Sequence, residues 1–200
     1  MATIFLVRHG QTDWNAERRW QGHADPPLNE RGRAEARGLA DRLAGRRLTR
    51  VYSSDLERAR ETAEIVGAAL RLPVKLDERL REVDVGEWSG LTLTEVEERF
   101  PDGFRRRHEG GTGWTEGERF DVMTERVLAA LHELAARHGD EPVLVVTHGG
   151  PIRAVANACR DDLDGWVHAG NCDWDVIAVE AGQMRWLDSS RGGLHEQVQG

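Results

Sequence analysis

Two segments of this chain end in the same way, with an apolar strand that runs into a histidine and a glycine. Residues 3–7 form a short apolar run followed by Arg8-His9-Gly10, and Val143–Thr147 form a second run followed by His148-Gly149. Uninterrupted apolar runs of this length are typical of parallel strands buried on both faces. In open α/β sheets the ligand binds beyond the carboxyl ends of the strands. The pattern therefore predicts an α/β fold with both histidines in one crevice.

Arg8 and His9 together suit a phosphoryl group. A forked guanidinium grips two phosphoryl oxygens, and an imidazole is a nucleophile that can attack phosphorus. Gly10 lets the backbone turn tightly beside a ligand. An isolated Arg-His-Gly would more often be a core histidine beside a surface charge. The repetition of the pattern at His148 argues against that interpretation.

The spacing of apolar residues predicts the other elements. Three helices are expected. The first spans residues 28–44 with Asn29 as its N-cap, and the second is capped by Ser53, Ser54 or Asp55 and ends near Leu70. The third spans residues 120–138. Strands are expected at residues 50–53, at an edge over 72–76, and in a C-terminal hairpin over 173–179 and 183–187. We therefore expect a mainly parallel central sheet with helices on both faces.

Arg58 falls in the first turn of the second predicted helix, at the same edge of the sheet as His9. It adds a second guanidinium to a helix end that already favours anions. Arg60 faces another way and is expected to be a solvated or paired charge.

Three carboxylates, Glu82, Asp84 and Glu87, follow within one short stretch. A carboxyl group beside a phosphate dianion tends to stay protonated, because a neighbouring like charge raises its pKa. A general acid requires that property. Spacing alone does not choose among the three residues.

Residues 80–117 are predicted to form a small excursion that roofs the site. Within it, residues 91–100 predict a short helix capped by Thr92 or Thr94. The glycine-rich residues 101–117 are expected to be the least regular part and a candidate lid. Its run Arg105-Arg106-Arg107 fits a solvated charged face, with one of the three reaching a substrate carboxylate as the alternative. The chain, residues 1–200, is expected to be one domain with a flexible tail over residues 189–200.

Composition narrows the choice of partners and location. The formal net charge of −8 argues against nucleic acid as a partner. No segment has the pattern of a signal peptide or the length of a membrane span, so we expect a cytoplasmic protein that does not bind membranes. Cys159 and Cys172 lack metal or redox spacing, and no Mg²⁺ or Zn²⁺ ligand pattern occurs. No metal or cofactor is therefore predicted, and the sequence leaves a homodimer open.

Three stretches of the chain resemble the signature of one family. They are Arg8-His9-Gly10, the segment Ser-Ser-Asp-Leu-Glu-Arg-Ala-Arg-Glu-Thr-Ala over residues 53–63, and His148-Gly149. Together they resemble the histidine phosphatase superfamily, which has a phosphoglycerate-mutase-like fold. The resemblance runs from residue 3 to about residue 152 and continues more weakly to residue 188. It implies phosphoryl chemistry through a phosphohistidine.

The resemblance also implies roles for particular residues. His9 is the expected nucleophile, and Arg8, Arg58 and His148 are expected to hold the phosphoryl oxygens. The family pattern Leu-Arg-Glu matches Leu80-Arg81-Glu82, which selects Glu82 as the proton donor.

Contacts with the phosphate or the rest of the substrate are expected from Asn15, Gln21, Gly22 and Gly149. Family members usually carry Gly-Glu-Ser before the next helix, whereas this chain has Gly117-Glu118-Arg119. The substrate contacts near this point are therefore left open.

These features favour a phosphatase that hydrolyses small phosphomonoester metabolites. The alternative is a cofactor-dependent phosphoglycerate mutase. The short roof argues against a mutase, because mutases of the family carry a longer insert with paired arginines, but residues 105–107 keep it open. Residues 170–174 are similar to glucosyl-3-phosphoglycerate phosphatases, and alpha-ribazole phosphatase is a further candidate. A non-catalytic phospho-ligand-binding protein would be expected to lack His9 or the acid, and this sequence retains both.

Overall fold

The computed structural model describes residues 1–159 and 169–190 of the chain. Its centre is a six-stranded sheet in the order β3-β2-β4-β1-β5-β6. The strands are β1 (Ala2–Arg8), β2 (Arg50–Ser53), β3 (Val74–Leu76), β4 (Val143–Thr147), β5 (Trp174–Glu180) and β6 (Gln183–Ser189). Strands β3, β2, β4 and β1 pair in parallel, and β5 and β6 add an antiparallel hairpin. The predicted α/β class, the edge position of β3 and the C-terminal hairpin are confirmed.

Helices cover both faces of the sheet. They are α1 (Asp13–Ala16), α2 (Glu30–Leu43), α3 (Glu57–Leu70), α4 (Leu93–Arg99), α5 (Pro101–His108), α6 (Phe120–His138) and α7 (Gly149–Ala158). Alternate residues of β1 point to opposite faces, as strand geometry requires. Ile4 and Leu6 join a core cluster with α6, α7 and the roof, whereas Phe5 and Val7 join a second cluster with α2 and α3.

The N-terminal caps follow the prediction in one helix and depart from it in another. The Asn29 side chain accepts a hydrogen bond from the backbone N–H of Gly32, which confirms it as the N-cap of α2. Helix α3 begins at Glu57 with Leu56 as its N-cap and has no side-chain cap, so the predicted cap at Ser53, Ser54 or Asp55 is wrong. The reason is that the Ser54 hydroxyl is engaged elsewhere, in the site described below.

The roof is more regular than predicted. Thr92 caps α4 with a capping box, as expected. Helix α5 then occupies part of the segment predicted to be irregular. Tertiary packing explains this correction. A Cβ atom on Gly103 would lie 2.4 Å from the carbonyl oxygen of Gly113, and one on Gly113 would lie 2.2 Å from the Trp88 ring. Gly103 and Gly113, two of the glycines that suggested a loose lid, are therefore close-packing positions.

The sheet also extends further towards the C-terminus than predicted. Ser189 ends β6, and the backbone N–H of Ser190 donates to the carbonyl oxygen of Trp174. The predicted flexible tail therefore starts too early, and its residues 191–200 lie outside the described residues. Within residues 1–159 and 169–190, no helix is long and apolar enough to cross a membrane.

Candidate active site

The two histidines lie side by side at the carboxyl edge of the parallel strands. Arg8 of β1 pairs with Thr147 of β4, so the residues that follow them, His9 and His148, leave the sheet together. The backbone N–H of His9 donates to the carbonyl oxygen of Thr147 at 3.0 Å, and the two ring centroids are 5.1 Å apart. Both side chains are buried. The two histidines therefore meet at one edge of the sheet, as predicted, although only His9 of the two lines the cavity there.

Hydrogen bonding orients the His9 ring with its Nε2 atom towards the cationic centre. Nδ1 lies 2.7 Å from the carbonyl oxygen of Gly10, so Nδ1 carries the proton and Nε2 carries a lone pair. That lone pair accepts a hydrogen bond from Nε of Arg58 at 3.3 Å. Burial, followed by the charges of Arg58 and Arg8, holds the pKa of His9 well below its ordinary value. His9 is therefore a neutral imidazole with an unprotonated Nε2.

Arg58 is almost fully buried near the start of α3. Its Nη1 donates to the carbonyl oxygen of Ala24 and its Nη2 to that of Gly22, both at 2.8 Å. Burial lowers its pKa to about 10, so it remains charged at neutral pH. Arg60 is half-exposed and pairs with Glu57 and Glu64, as predicted.

The Arg8 guanidinium forms a hydrogen bond through Nη1, whereas its Nε donor is unpaired within the described residues. Its Nη1 donates to the carbonyl oxygen of Ala169 at 2.7 Å. Its Nε is buried and has no hydrogen-bond partner among the residues that the structure describes. A buried donor without a partner costs free energy that a bound anion recovers.

His148 is held by a residue that the sequence pattern assigned to another role. Its Nε2 lies 2.9 Å from the Ser54 hydroxyl oxygen, which accepts a hydrogen bond from the N–H of Leu56. The Ser54 hydroxyl hydrogen is thus left to donate to Nε2, and the ring proton sits on Nδ1. Within the described part of the chain, this buried Nδ1 has no partner. Burial and the neighbouring charges of Arg58, His9 and Arg8 hold the pKa of His148 well below its ordinary value, so it is a neutral donor.

Among the three candidate carboxylates, only Glu82 lines the cavity. Its Oε2 accepts from the backbone N–H of Gly150 at 3.1 Å, and its Oε1 accepts from that of Val83 at 2.9 Å. Asp84 accepts instead from the N–H of Gly86, and Glu87 accepts from the roof residues Thr115 and Glu116. The structure therefore separates the three residues that spacing did not.

Arg126 holds the segment that carries Glu82. It uses all five of its N–H donors: a bidentate pair to Glu118, and single bonds to the carbonyl oxygens of Arg79, Arg81 and Glu82. Sequence reasoning missed this clamp, because Arg126 lies in the predicted helix over residues 120–138, outside the motifs that point to the site. The departure from Gly-Glu-Ser falls on Arg119, which is exposed, pairs with Asp121 and does not line the cavity.

The four residues expected to contact substrate, Asn15, Gln21, Gly22 and Gly149, all line the same cavity of about 420 Å³. Thr12, fully buried, organises two of them: its hydroxyl lies 3.1 Å from Oδ1 of Asn15 and 3.2 Å from Oε1 of Gln21. Both amide oxygens face Thr12, which leaves the NH₂ groups for the cavity. Thr12 was also missed, although Thr-x-x-Asn is a capping-box spacing that the sequence displays.

The cavity is therefore lined by the guanidiniums of Arg8 and Arg58, the neutral imidazole of His9, amide donors and one carboxylate, and the neutral His148 ring is buried beside His9. Such a set of donors can surround a phosphoryl group, while an imidazole lone pair faces phosphorus and a carboxyl group handles a proton. Among the described residues, no group of three or more His, Cys, Asp or Glu side chains is arranged to hold a metal ion.

Comparison with known proteins agrees with this geometry. The chain matches the model of the histidine phosphatase superfamily, branch 1, over residues 4–190. It is similar to phosphoserine phosphatase 1 of Hydrogenobacter thermophilus, with 38% identity over 90% of this chain and 88% of that one. It is also similar to a probable phosphoglycerate mutase, GpmB, of Salmonella choleraesuis, with 40% identity over 94% of this chain and 89% of that one.

Among solved structures, a mycobacterial glucosyl-3-phosphoglycerate phosphatase superimposes with a TM-score of 0.81 at 32% identity, over 94% of this chain and 97% of that one. With its paired histidines and buried arginines, the chain belongs to the histidine phosphatase superfamily, branch 1.

Proposed function

We propose that this chain is a phosphatase that hydrolyses small phosphomonoesters through a phosphohistidine formed on His9. The observation that carries the proposal is the neutral His9 imidazole, whose Nε2 faces a cavity lined by Arg8, Arg58 and Glu82. Relatives named as phosphatases of phosphoserine and of glucosyl-3-phosphoglycerate support the same reaction class.

In the first step, Nε2 of His9 attacks phosphorus and the bond to the leaving oxygen breaks. Arg8, Arg58 and the Nδ1–H of His148 donate to the phosphoryl oxygens, on which charge is redistributed in the transition state. Glu82 donates a proton to the leaving oxygen, so that the substrate alcohol departs uncharged.

In the second step, the Glu82 carboxylate accepts a proton from water as the water oxygen attacks phosphorus. The phosphorus–nitrogen bond then breaks, its electron pair returns to Nε2, and phosphate leaves. The neutral form of His9 is thereby restored. We expect EDTA to leave the rate unchanged, because no step calls on a metal ion.

Similarity to a probable phosphoglycerate mutase gives a second candidate function. A mutase would return the phosphoryl group from His9 to a bound phosphoglycerate before water enters. With 3-phosphoglycerate and 2,3-bisphosphoglycerate both present, we expect isomerisation to be much slower than hydrolysis of the best phosphomonoester. The opposite ranking would favour the mutase.

The phosphohistidine is tested by rapid quenching after brief exposure to ³²P-labelled substrate. Label on the protein should be acid-labile and base-stable. His9→Ala should abolish the label and lower kcat by at least ~10³-fold, because no other nucleophile replaces the imidazole. Label that persists in the variant would overturn the assignment of His9.

A further inference from the structure

A second cleft, of about 200 Å³, opens beside the active-site cavity. Phe120, Gly150 and Arg153 line both spaces, so the two lie side by side. The second cleft is also lined by Arg107 of the roof helix α5. A substrate whose phosphoryl group lies against His9 can therefore extend past Gly150 into a space bounded by two arginines.

The two arginines are held against one aromatic ring. The guanidinium carbon of Arg107 lies 4.8 Å from the centroid of Phe120, and that of Arg153 lies 5.6 Å from it. Cation–π attraction holds each guanidinium at the ring. Burial lowers the pKa of Arg107, and the charge of Arg153 lowers it further, which reflects how close the two cations are. Two like charges held together at a cleft are stabilised when an anion binds between them.

The arginine run of the roof is not uniform. Arg105 is exposed and pairs with Asp102, and Arg106 donates to the carbonyl oxygen of Gly113. Neither lines the active-site cavity or the second cleft. Of these three arginines, only Arg107 lines the cleft, so it does not belong to a solvated charged face.

We propose that Arg107 and Arg153 bind a second oxyanion of the substrate, a carboxylate or a phosphate, beyond the phosphoryl group that reacts at His9. Guanidinium forks bind both kinds of oxyanion in a bidentate manner. The substrate class is then a phosphomonoester with a further anionic group a few bonds from the ester oxygen. This inference rests on the proposed function, because it presumes that the phosphoryl group is bound at His9.

Matched substrates test the subsite and separate the two oxyanions. Phosphoserine and phosphoethanolamine differ by one carboxylate, and fructose 1,6-bisphosphate and fructose 6-phosphate differ by one phosphate. We expect the enzyme to prefer the more anionic member of at least one pair by ~10-fold or more in kcat/KM, mostly through KM, since a charge-assisted hydrogen bond to a charged group is worth about that factor. The pair that shows the preference identifies the oxyanion.

Arg107→Met and Arg153→Met should each reduce that preference by ~10-fold or more, with a smaller loss for the less anionic substrates. Arg107→Lys and Arg153→Lys keep the charge but lose the forked guanidinium, so they should retain part of the preference. They also test the subsite if the Met variants fail to fold. Arg105→Met, in the same helix but turned to solvent, is the matched control and should behave as the wild type.

The outcomes separate the two proposals. Hydrolysis of all four substrates with no preference within either pair overturns the oxyanion subsite and leaves the phosphatase intact. A preference that survives in both Met variants also overturns the subsite. If no phosphomonoester is hydrolysed and His9 takes no label, the proposed function itself fails.

Discussion

Glu82 is positioned by a close contact with Gly150 that leaves no space for a side chain at that residue. Its carboxylate rests on the N-terminus of α7, where the N–H of Gly150 donates to Oε2. A Cβ atom on Gly150 would lie 2.1 Å from Oε1 of Glu82, whereas a Cβ on Gly149 would be 4.0 Å from Oε2. Gly150 is therefore required for the position of the proposed acid, and Gly149 is not.

Glu82→Gln separates a proton donor from a structural carboxylate, because glutamine keeps the size and hydrogen bonding but cannot donate the proton. An alkoxide is a poor leaving group that needs the proton, whereas nitrophenolate leaves without it. We expect a ~10²–10⁴-fold loss in the phosphorylation of His9 by alkyl phosphates and a far smaller loss with p-nitrophenyl phosphate. Burst kinetics with both substrates measure this step.

Gly150→Ala should give the same dependence on the leaving group with the carboxylate still present, and Gly149→Ala should cost less. An equal loss of the burst for both kinds of substrate in Glu82→Gln would show that Glu82 is not the acid.

At the scale of secondary structure, the sequence correctly predicted the elements whose formation depends on local sequence pattern. Apolar runs identified β1 and β4, and a side-chain cap identified the start of α2. Serine is a common N-cap residue, yet the Ser54 hydroxyl forms a hydrogen bond with Nε2 of His148. No local sequence signal distinguishes these two roles. Helix α5 was missed because Gly103 and Gly113 are determined by packing against Trp88 from another segment. The Arg126 clamp joins residues more than 40 positions apart, a distance at which one sequence carries no pattern.

Arg126 links α6 to the roof segment that carries Glu82, so it is expected to affect both stability and catalysis. Arg126→Met removes five hydrogen bonds and leaves the Glu118 carboxylate, itself largely buried, without its partner. We expect a loss of about 3 kcal/mol in the free energy of unfolding. In the remaining folded enzyme, the phosphorylation of His9 should slow more with alkyl phosphates than with p-nitrophenyl phosphate, as Glu82 becomes misplaced.

Arg137→Met is the matched control, because Arg137 lies in the same helix and makes an exposed pair with Glu133. It should change the free energy of unfolding by no more than ~0.5 kcal/mol. Urea denaturation and the two-substrate assay measure both effects. Equal losses in the burst rate for the two substrates in Arg126→Met would show that Arg126 acts on stability alone and does not position Glu82.

At the scale of the whole molecule, an acidic chain encloses a cationic centre. The formal net charge is −8, yet Arg8, Arg58 and the two histidines meet at the carboxyl edge of the sheet. The histidines can be buried beside the arginines only as neutral rings, because protonation would add like charges where water is excluded. The fold is therefore built around a site that resists protonation, and this has a consequence for stability.

The free energy of unfolding should fall as the pH drops from 7 to 5. Burial holds the pKa values of His9 and His148 well below their ordinary value of 6.5 in the folded state. Below pH 6.5 the unfolded chain therefore binds more protons than the folded chain, so stability is present above that pH and is lost as the pH falls. Two such groups give a slope of up to about 2.7 kcal/mol per pH unit. Hydrogen bonds from Arg81 lower the pKa of Asp55 below its ordinary value of 3.8. Protonation of that carboxylate therefore lowers the free energy of unfolding only below this pH range.

Urea denaturation between pH 5 and pH 7.5 measures this slope. His9→Asn and His148→Asn each remove one titrating ring and keep a polar side chain, so each should reduce the slope by about half. The double variant should leave little dependence on pH in this range. A slope that neither substitution changes would mean that both rings are protonated alike in the folded and unfolded chain. Below pH 6.5 the site would then hold a mostly charged His9, which cannot act as a nucleophile through Nε2.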